Sequence, residues 1–352
     1  GPQNALGGEE RMCNMKLTTH RYNERDNAYR MLHRVSKEQD VNKDKWIGVG
    51  GHFEAGESPE ECVLREVKEE TGLTLLSWQF RGVITFSSEG WEDEYICLFT
   101  ADKFSGELMA CDEGVLEWVD REAVLKLNLW EGDKIFFRLL NEKRPFFSLK
   151  LSYRENRLVY AALDGRELEL FDVRDSEGNV TGVARERELV HLNGDPHGTS
   201  HIWVVRANAS GGWDVLLQKR SRDKDSYPGC YDVSSAGHLQ AGDDFLPAAL
   251  RELEEELGLH ARAEDLEFVG FHKAYRKAVF GGRLFKDHEI SAVYIYRKPV
   301  ETSALRLQKE ELESVMWMDL ADCRRAVGEG RLDNCMYPDE LEMLSRRLSQ
   351  EK

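Results

Sequence analysis

Apolar positions rich in β-branched and aromatic residues mark four segments as strands: Ala28 to Val35, Tyr95 to Thr100, His201 to Arg206 and Ile290 to Tyr296. A helical period takes over elsewhere. Ser58 can cap a helix with Pro59 in its first position and Glu61 three residues past the cap, and Gly72 supplies a left-handed stop, so the helix runs from Pro59 to Thr71. At about 100° per residue, Glu66, Glu69 and Glu70 fall on one face, while Val63, Leu64 and Val67 lie on the side that can pack against a sheet.

The same spacing returns. Gly51, Arg65, Glu66, Glu69, Glu70 and Gly72 recur as Gly237, Arg251, Glu252, Glu255, Glu256 and Gly258, each displaced by 186 positions, with Glu57 answered by Asp243. This is duplication of a domain type, and 352 residues can fill two ordinary cores. Turn residues gather from Ala161 to Arg166, after the apolar stretch Phe146 to Tyr160. The boundary is therefore expected near Asp164, giving domains 15–164 and 165–352 of sheet plus helices. Residues 1–14 open on Gly-Pro and lack periodicity, so they read as an expression remnant and disordered lead before a natural start at Met15.

Charge narrows the function. With 48 Lys plus Arg against 65 Asp plus Glu, the net charge of -17 repels a nucleic-acid backbone or an anionic membrane surface. A chain of this sign that handles phosphates needs a cation, and its acids could supply the ligands. The seven cysteines (Cys13, Cys62, Cys97, Cys111, Cys230, Cys323, Cys335) are odd in number and never spaced Cys-x-x-Cys. That argues against a disulfide framework or zinc ribbon and for a reducing cytoplasm. No run of about 18 apolar residues and no signal peptide appears, so a soluble protein is expected.

Three carboxylates on one helical face repel one another unless a hard divalent cation takes their oxygens. Glu66, Glu69 and Glu70 are thus candidate ligands for Mg²⁺ or Mn²⁺, as are Glu252, Glu255 and Glu256. The preceding glycine-rich loop, with Gly50 and Gly51 in the first half and Gly237 and His238 in the second, has the freedom to bring backbone to a substrate phosphate. Arg65 could orient a neighbouring carboxylate. The whole string from Gly51 through Glu57 and Arg65-Glu66 to Gly72-Leu73 matches the Nudix signature at every specified position. The second string departs only at Asp243, a shorter acid. The resemblance implies an α/β/α sandwich with a mixed sheet. It also implies metal-assisted attack of water on a diphosphate linkage, with Glu69, Arg65, Glu255 and Arg251 in catalytic roles.

Beyond the signature, Lys45 to His52 and Leu127 to Asp133 resemble MutT-like enzymes that hydrolyse oxidised purine triphosphates such as 8-oxo-dGTP. By that likeness Glu113 matches a distal glutamate that binds metal or acts as base, Trp130 an aromatic that stacks on the purine, and Asp133 a carboxylate that reads the base edge. Trp130 also reads as a core or rim aromatic, and Glu113 as a strand-end acid. Ile47 and Gly132 stand where a human relative has Asn and Asp, so base recognition does not transfer whole.

In the second half, Arg220 to Gly229 and Tyr231 to His238 resemble isopentenyl-diphosphate isomerases and their hydrolase cousins. The isomerase cysteine before Gly-His is Ala236 here, which carries no acid to protonate carbon, so hydrolysis is expected. The likeness maps a metal site onto His197, His238, Asp287 and Glu289, with His191 placed by spacing, a set suited to Zn²⁺ or Mn²⁺ as well as Mg²⁺. These histidines also read as loop or strand residues. Glu311, six before Trp317, answers Glu113, five before Trp118, with Glu310 equally near. The expected protein is a cytoplasmic tandem diphosphatase of nucleotides or other small diphosphates, with self-association left open. Its rivals are an isopentenyl-diphosphate isomerase in the second half and a nucleotide-sensing module.

Overall fold

The computed structural model describes residues 15–35 and 37–350, which leaves the expected lead 1–14 outside the described residues. It divides the chain between Leu168 and Glu169 into two units, each built on its own mixed sheet. The Asp164 turn lies short of that division. Asp164 (φ 50°) and Gly165 (φ 80°) both adopt the left-handed conformation of a two-residue hairpin turn, which returns the next strand to the first unit.

Unit 1 runs β1 (Lys16–Arg25), β2 (Ala28–His33), β3 (Trp46–Ile47), α1 (Pro59–Thr71), β4 (Thr74–Ser88), β5 (Glu94–Ser105), β6 (Val115–Asp120), α2 (Arg121–Val124), α3 (Glu131–Asn141), β7 (Phe147–Arg154), β8 (Arg157–Leu163) and β9 (Arg166–Glu167). The sheet order is β3-β2-β1-β5-β4-β7-β8-β9, with β6 on β2. The pairs β1 with β5 and β4 with β7 are parallel. α1 has the bounds its pattern predicts. The Ser58 hydroxyl accepts from the Glu61 amide at 3.1 Å, the Glu61 carboxylate accepts from the Ser58 amide at 2.8 Å, and Gly72 closes the helix at φ 75°. Val63 and Val67 bury this helix against Leu75, Phe99 and Ala101 on one face of the sheet. On α3, Phe136 and Phe137 pack against Tyr22 of β1, and Phe137 also meets Tyr29 of β2. Each fully buried side chain of this kind contributes about 1.5–3 kcal/mol.

Unit 2 opens on a separate ribbon, β10 (Leu170–Arg174) and β11 (Val180–Glu186), followed by α4 (Arg187–Asn193). Then come β12 (Pro196–Ala207), β13 (Trp213–Arg220), β14 (Tyr231–Asp232), β15 (Ser235–His238), α5 (Phe245–Leu257), β16 (Leu266–Phe280), β17 (Arg283–Tyr296), β18 (Leu312–Asp319), α6 (Leu320–Gly328) and α7 (Pro338–Ser349). The order is β14-β13-β12-β17-β16, with β15 on β12 and β18 on β13, and β12 runs parallel to β17. Strand alternation sorts the core into two layers. Ile202, Val204, Ala292 and Tyr294 meet Ala249, Leu253 and Leu257 of α5. Trp203, Val205, Val293 and Ile295 meet α6 and α7 through Leu320, Leu341 and Leu344. Each unit is thus an α/β/α sandwich. Among the described residues no helix is long and apolar enough to cross a membrane.

Candidate active sites

In unit 1, Arg65 organises the acids of α1. Its Nε and Nη2 donate to Glu57 at 2.5 and 3.0 Å, Nη1 to Glu66 at 2.8 Å and Glu69 at 3.2 Å, and Nη2 also to the His52 carbonyl at 2.9 Å. All five guanidinium donors are engaged, so Arg65 orients carboxylates rather than reacting itself. These bonds hold the Glu57 carboxyl down at about 2. Glu70 sits on the buried flank of the helix. Burial, then the charges of Glu113 and Glu66, lift its carboxyl to about 7, against the pull of Arg21 and Arg34. Glu113, just before β6, accepts from Arg34 at 2.6 Å. Glu66, Glu70 and Glu113 therefore converge, while the Glu69 side chain stays 60% exposed.

Gly51 packs closely against α1. Neither Gly50 nor Gly51 has positive φ, and the loop is laced to β1 by Thr19 N–H to Gly51 carbonyl at 2.9 Å and Arg21 N–H to Val49 carbonyl at 2.8 Å. A Cβ on Gly51 would lie 2.2 Å from the Glu66 carboxyl carbon, and one on Gly237 2.1 Å from that of Glu252. The glycines make room for a carboxylate. Gly51→Ala is expected to displace Glu66 and lower kcat by about 10²-fold with little change in melting temperature, which steady-state assay beside a thermal melt would check.

Trp130 caps the start of α3, with Asp133 in its first turn. The indole Nε1 donates to Asn42 at 2.8 Å, the Lys45 ammonium lies 5.0 Å from the ring centroid, and Tyr153 meets the ring edge-on at 5.4 Å. Burial raises the Asp133 carboxyl to about 7, with Lys45 opposing. Gly132, where a paired Asp would stand, is buried, and its N–H donates to the Tyr153 hydroxyl at 2.7 Å.

Unit 2 repeats the carboxylate helix with different partners. Arg251 pairs with Asp243 at 2.9 Å, so the shorter acid still reaches its arginine. Glu256 accepts from the Ser235 hydroxyl at 2.8 Å, the Ala236 amide at 2.9 Å and the Gln218 amide at 3.2 Å, yet burial keeps its carboxyl raised to about 7. Burial, Glu256 and Glu255 lift Glu252 to about 8. These acids line a cavity of about 380 Å³ together with Glu311, which binds the Lys224 ammonium, whereas Glu310 does not line it.

A second group meets the same cavity through His238 and Asp287. One ligand atom each from His191, His197, His238 and Asp287 lies within 4.8 Å of the others. His191 Nε2, His197 Nε2, His238 Nε2 and Asp287 Oδ1 are all buried without a hydrogen-bond partner. Burial pushes His191 down to about 2 and lowers His197 and His238, so all three are neutral donors. Orphaned neutral imidazoles around a carboxylate fit a transition-metal ion. Glu289, also expected among these ligands, lies next to the group, 3.8 Å from His201 Nε2 and 3.9 Å from His238 Nε2, and His191, placed by spacing, is within it. Sequence reading also missed Arg21, Arg34 and Glu340. None left a sequence signal: Arg21 is buried in β1, but that strand is polar along most of its length.

A family model described as NUDIX domain matches residues 22–140 and 198–336. The chain is similar to Nudix hydrolase 3 of Arabidopsis thaliana, 39% identical over 158 residues, which is 44% of this chain and 20% of that protein. It therefore spans about a fifth of that relative's length. It is also similar to the oxidized purine nucleoside triphosphate hydrolase of Danio rerio, 33% identical over 112 residues, covering 31% of this chain and 71% of the relative. The isopentenyl-diphosphate Delta-isomerase of Cutibacterium acnes is 28% identical over 158 residues, covering 44% and 76%.

Proposed function

Since the chain belongs to the Nudix family, with one such domain in each half, we propose that it is a tandem metal-dependent diphosphatase. Unit 1 converts oxidised purine nucleoside triphosphates to monophosphate and diphosphate, and unit 2 hydrolyses a second small diphosphate. The observation that carries this reading is the crowding of Glu66, Glu70 and Glu113, and again of Glu252, Glu256 and Glu311, with carboxyls lifted to about 7 and about 8. Such crowding is costly unless a cation neutralises it.

Glu66, Glu69, Glu70 and Glu113 would hold Mg²⁺ or Mn²⁺ in unit 1, as would Glu252, Glu255, Glu256 and Glu311 in unit 2. The bound cations supply charge neutralisation at the diphosphate oxygens. Arg65 and Arg251 keep the helix acids in register. Glu113 takes the proton of the attacking water as its oxygen bonds to phosphorus and the anhydride oxygen leaves with diphosphate. Trp130 and Asp133 bind the base, and at neutral pH the Asp133 carboxyl, raised to about 7, can donate as well as accept. The histidine group of unit 2 would hold a second ion of Zn²⁺ or Mn²⁺ type. That group is shared with the isomerase reading, but Ala236 has no proton to give a carbon, which favours hydrolysis.

The test is a panel of oxidised and normal nucleotides, nucleotide sugars, dinucleoside polyphosphates and prenyl diphosphates, assayed with Mg²⁺, Mn²⁺ or excess chelator. Chelation should remove turnover, and metal should restore it. Turnover indifferent to chelator would sink the reading. Deuterium entering a prenyl diphosphate from heavy water without phosphate release would transfer unit 2 to the isomerases.

A further inference from the structure

Five arginine and lysine side chains line the unit 2 cavity, and four of them are already paired with acids. Arg187 meets Glu169 at 2.7 Å, Arg220 meets Asp232 at 3.4 Å, Arg251 meets Asp243 at 2.9 Å, and Lys224 binds Glu311. Arg276 differs. Among the described residues no carboxylate lies within ion-pair distance of it, and its hydrogen bond is from Nη1 to the Cys335 carbonyl at 3.0 Å. Its guanidinium is instead held by two rings, with Tyr227 4.2 Å and Tyr337 4.5 Å from the central carbon.

Two polar atoms at this clamp are buried and unbonded, Arg276 Nε and the Tyr337 hydroxyl. Burying a guanidinium N–H and a phenol without partners is unfavourable unless something else accepts from them. Tyr227 reaches its place only with a φ of 47°, left-handed backbone that a residue with a Cβ avoids. A strained tyrosine, a second ring and a cation with no carboxylate in ion-pair reach form a device that fixes a planar fork of donors while leaving its Nε unsatisfied. Phosphoryl oxygens match that fork.

We propose that Arg276, with the Tyr337 hydroxyl, seats a phosphoryl group of the unit 2 substrate in this cavity. The proposal rests on the reading of unit 2 as a diphosphate hydrolase. It makes Arg276 the residue that selects substrates carrying an oxyanion at this point. Position along β16 supports it, because Arg276 pairs in register with Asp287 of β17 and so stands beside the histidine group.

The experiment is calorimetric titration of the full chain with imidodiphosphate, which resists hydrolysis, at several Mg²⁺ concentrations. Wild type is compared with Arg276→Met, Arg276→Lys and Tyr337→Phe, and the calorimetric melt of unit 2 in each variant serves as the folding control. At least tenfold weaker binding is expected for Arg276→Met at every Mg²⁺ concentration. Arg276→Lys should recover part of the loss, and Tyr337→Phe, which keeps the ring, should weaken binding severalfold. Equal affinity in wild type, Arg276→Met and Tyr337→Phe would overturn the proposal. Binding that depends on Arg276 but not on Mg²⁺ would uphold it while overturning the metal-dependent reading of unit 2.

Discussion

Glu69→Gln should lower kcat on oxidised purine triphosphates by about 10²–10⁴-fold while leaving the unit 2 reaction untouched, and Glu255→Gln should do the reverse. Glutamine keeps the shape of the side chain and removes the charge a cation needs. Folding should not confuse the result, because the Glu69 side chain is 60% exposed and held only by Arg65 at 3.2 Å. The two variants, assayed on one substrate panel, read the division of labour directly. If Glu255→Gln leaves every activity intact, unit 2 has no working hydrolase site. If either variant silences both reactions, one site performs both.

The largest expected effect on stability lies behind the histidine group. Glu340 of α7 is 2% exposed, accepts from His201 Nδ1 at 2.6 Å and from the Trp203 indole at 3.0 Å, and thereby ties the helix to β12. Burial alone would lower His201, but Glu340, then Glu289 and Asp232, raise it to about 9. The imidazole is therefore charged at neutral pH. Glu340→Ala strands that charge in the core and should cost about 3–5 kcal/mol, or roughly 6–20 °C in the melting of unit 2. The sign of the pH dependence follows from the same residue. A histidine at about 9 when folded and about 6.5 when unfolded stabilises fully below the lower value, and the contribution is lost as pH rises through the higher one. Wild-type unit 2 should lose stability between these limits, and Glu340→Gln should flatten that slope. Calorimetric melts across this pH range would check both, and an unchanged melting temperature in Glu340→Ala would refute the assignment.

Local chemistry was what the sequence made legible. The bounds of α1 follow from Ser58, Pro59, Glu61 and Gly72, whose capping and helix-stop preferences act within a few residues. The acids face one way because the helical period is rigid. Contacts set by the fold were harder to read. Nothing local reveals that Gly51 clears space for Glu66, that Arg34 reaches Glu113, or that Glu340 lies under His201, 139 positions away. The Asp164-Gly165 pair marked the boundary only approximately for a related reason, because a hairpin turn and an interdomain turn use the same residues. Likeness to isomerases brought His197, His238, Asp287 and Glu289 to attention with His191 placed by spacing, but only the folded chain brings His191 of α4 within reach of the strand residues.

The parallel pairing of β12 with β17 bears on how the second half comes to be folded. From His197 to Val205 every residue of β12 is buried, and its partner begins with Pro196 opposite His288. A polypeptide leaving the ribosome would present that sticky run long before residue 288 emerged to shield it, and closing so distant a contact is intrinsically slow. The hairpin of β16 and β17 can zip locally in the meantime. The window before the two meet is when nascent copies are most exposed to aggregation and most in need of a chaperone.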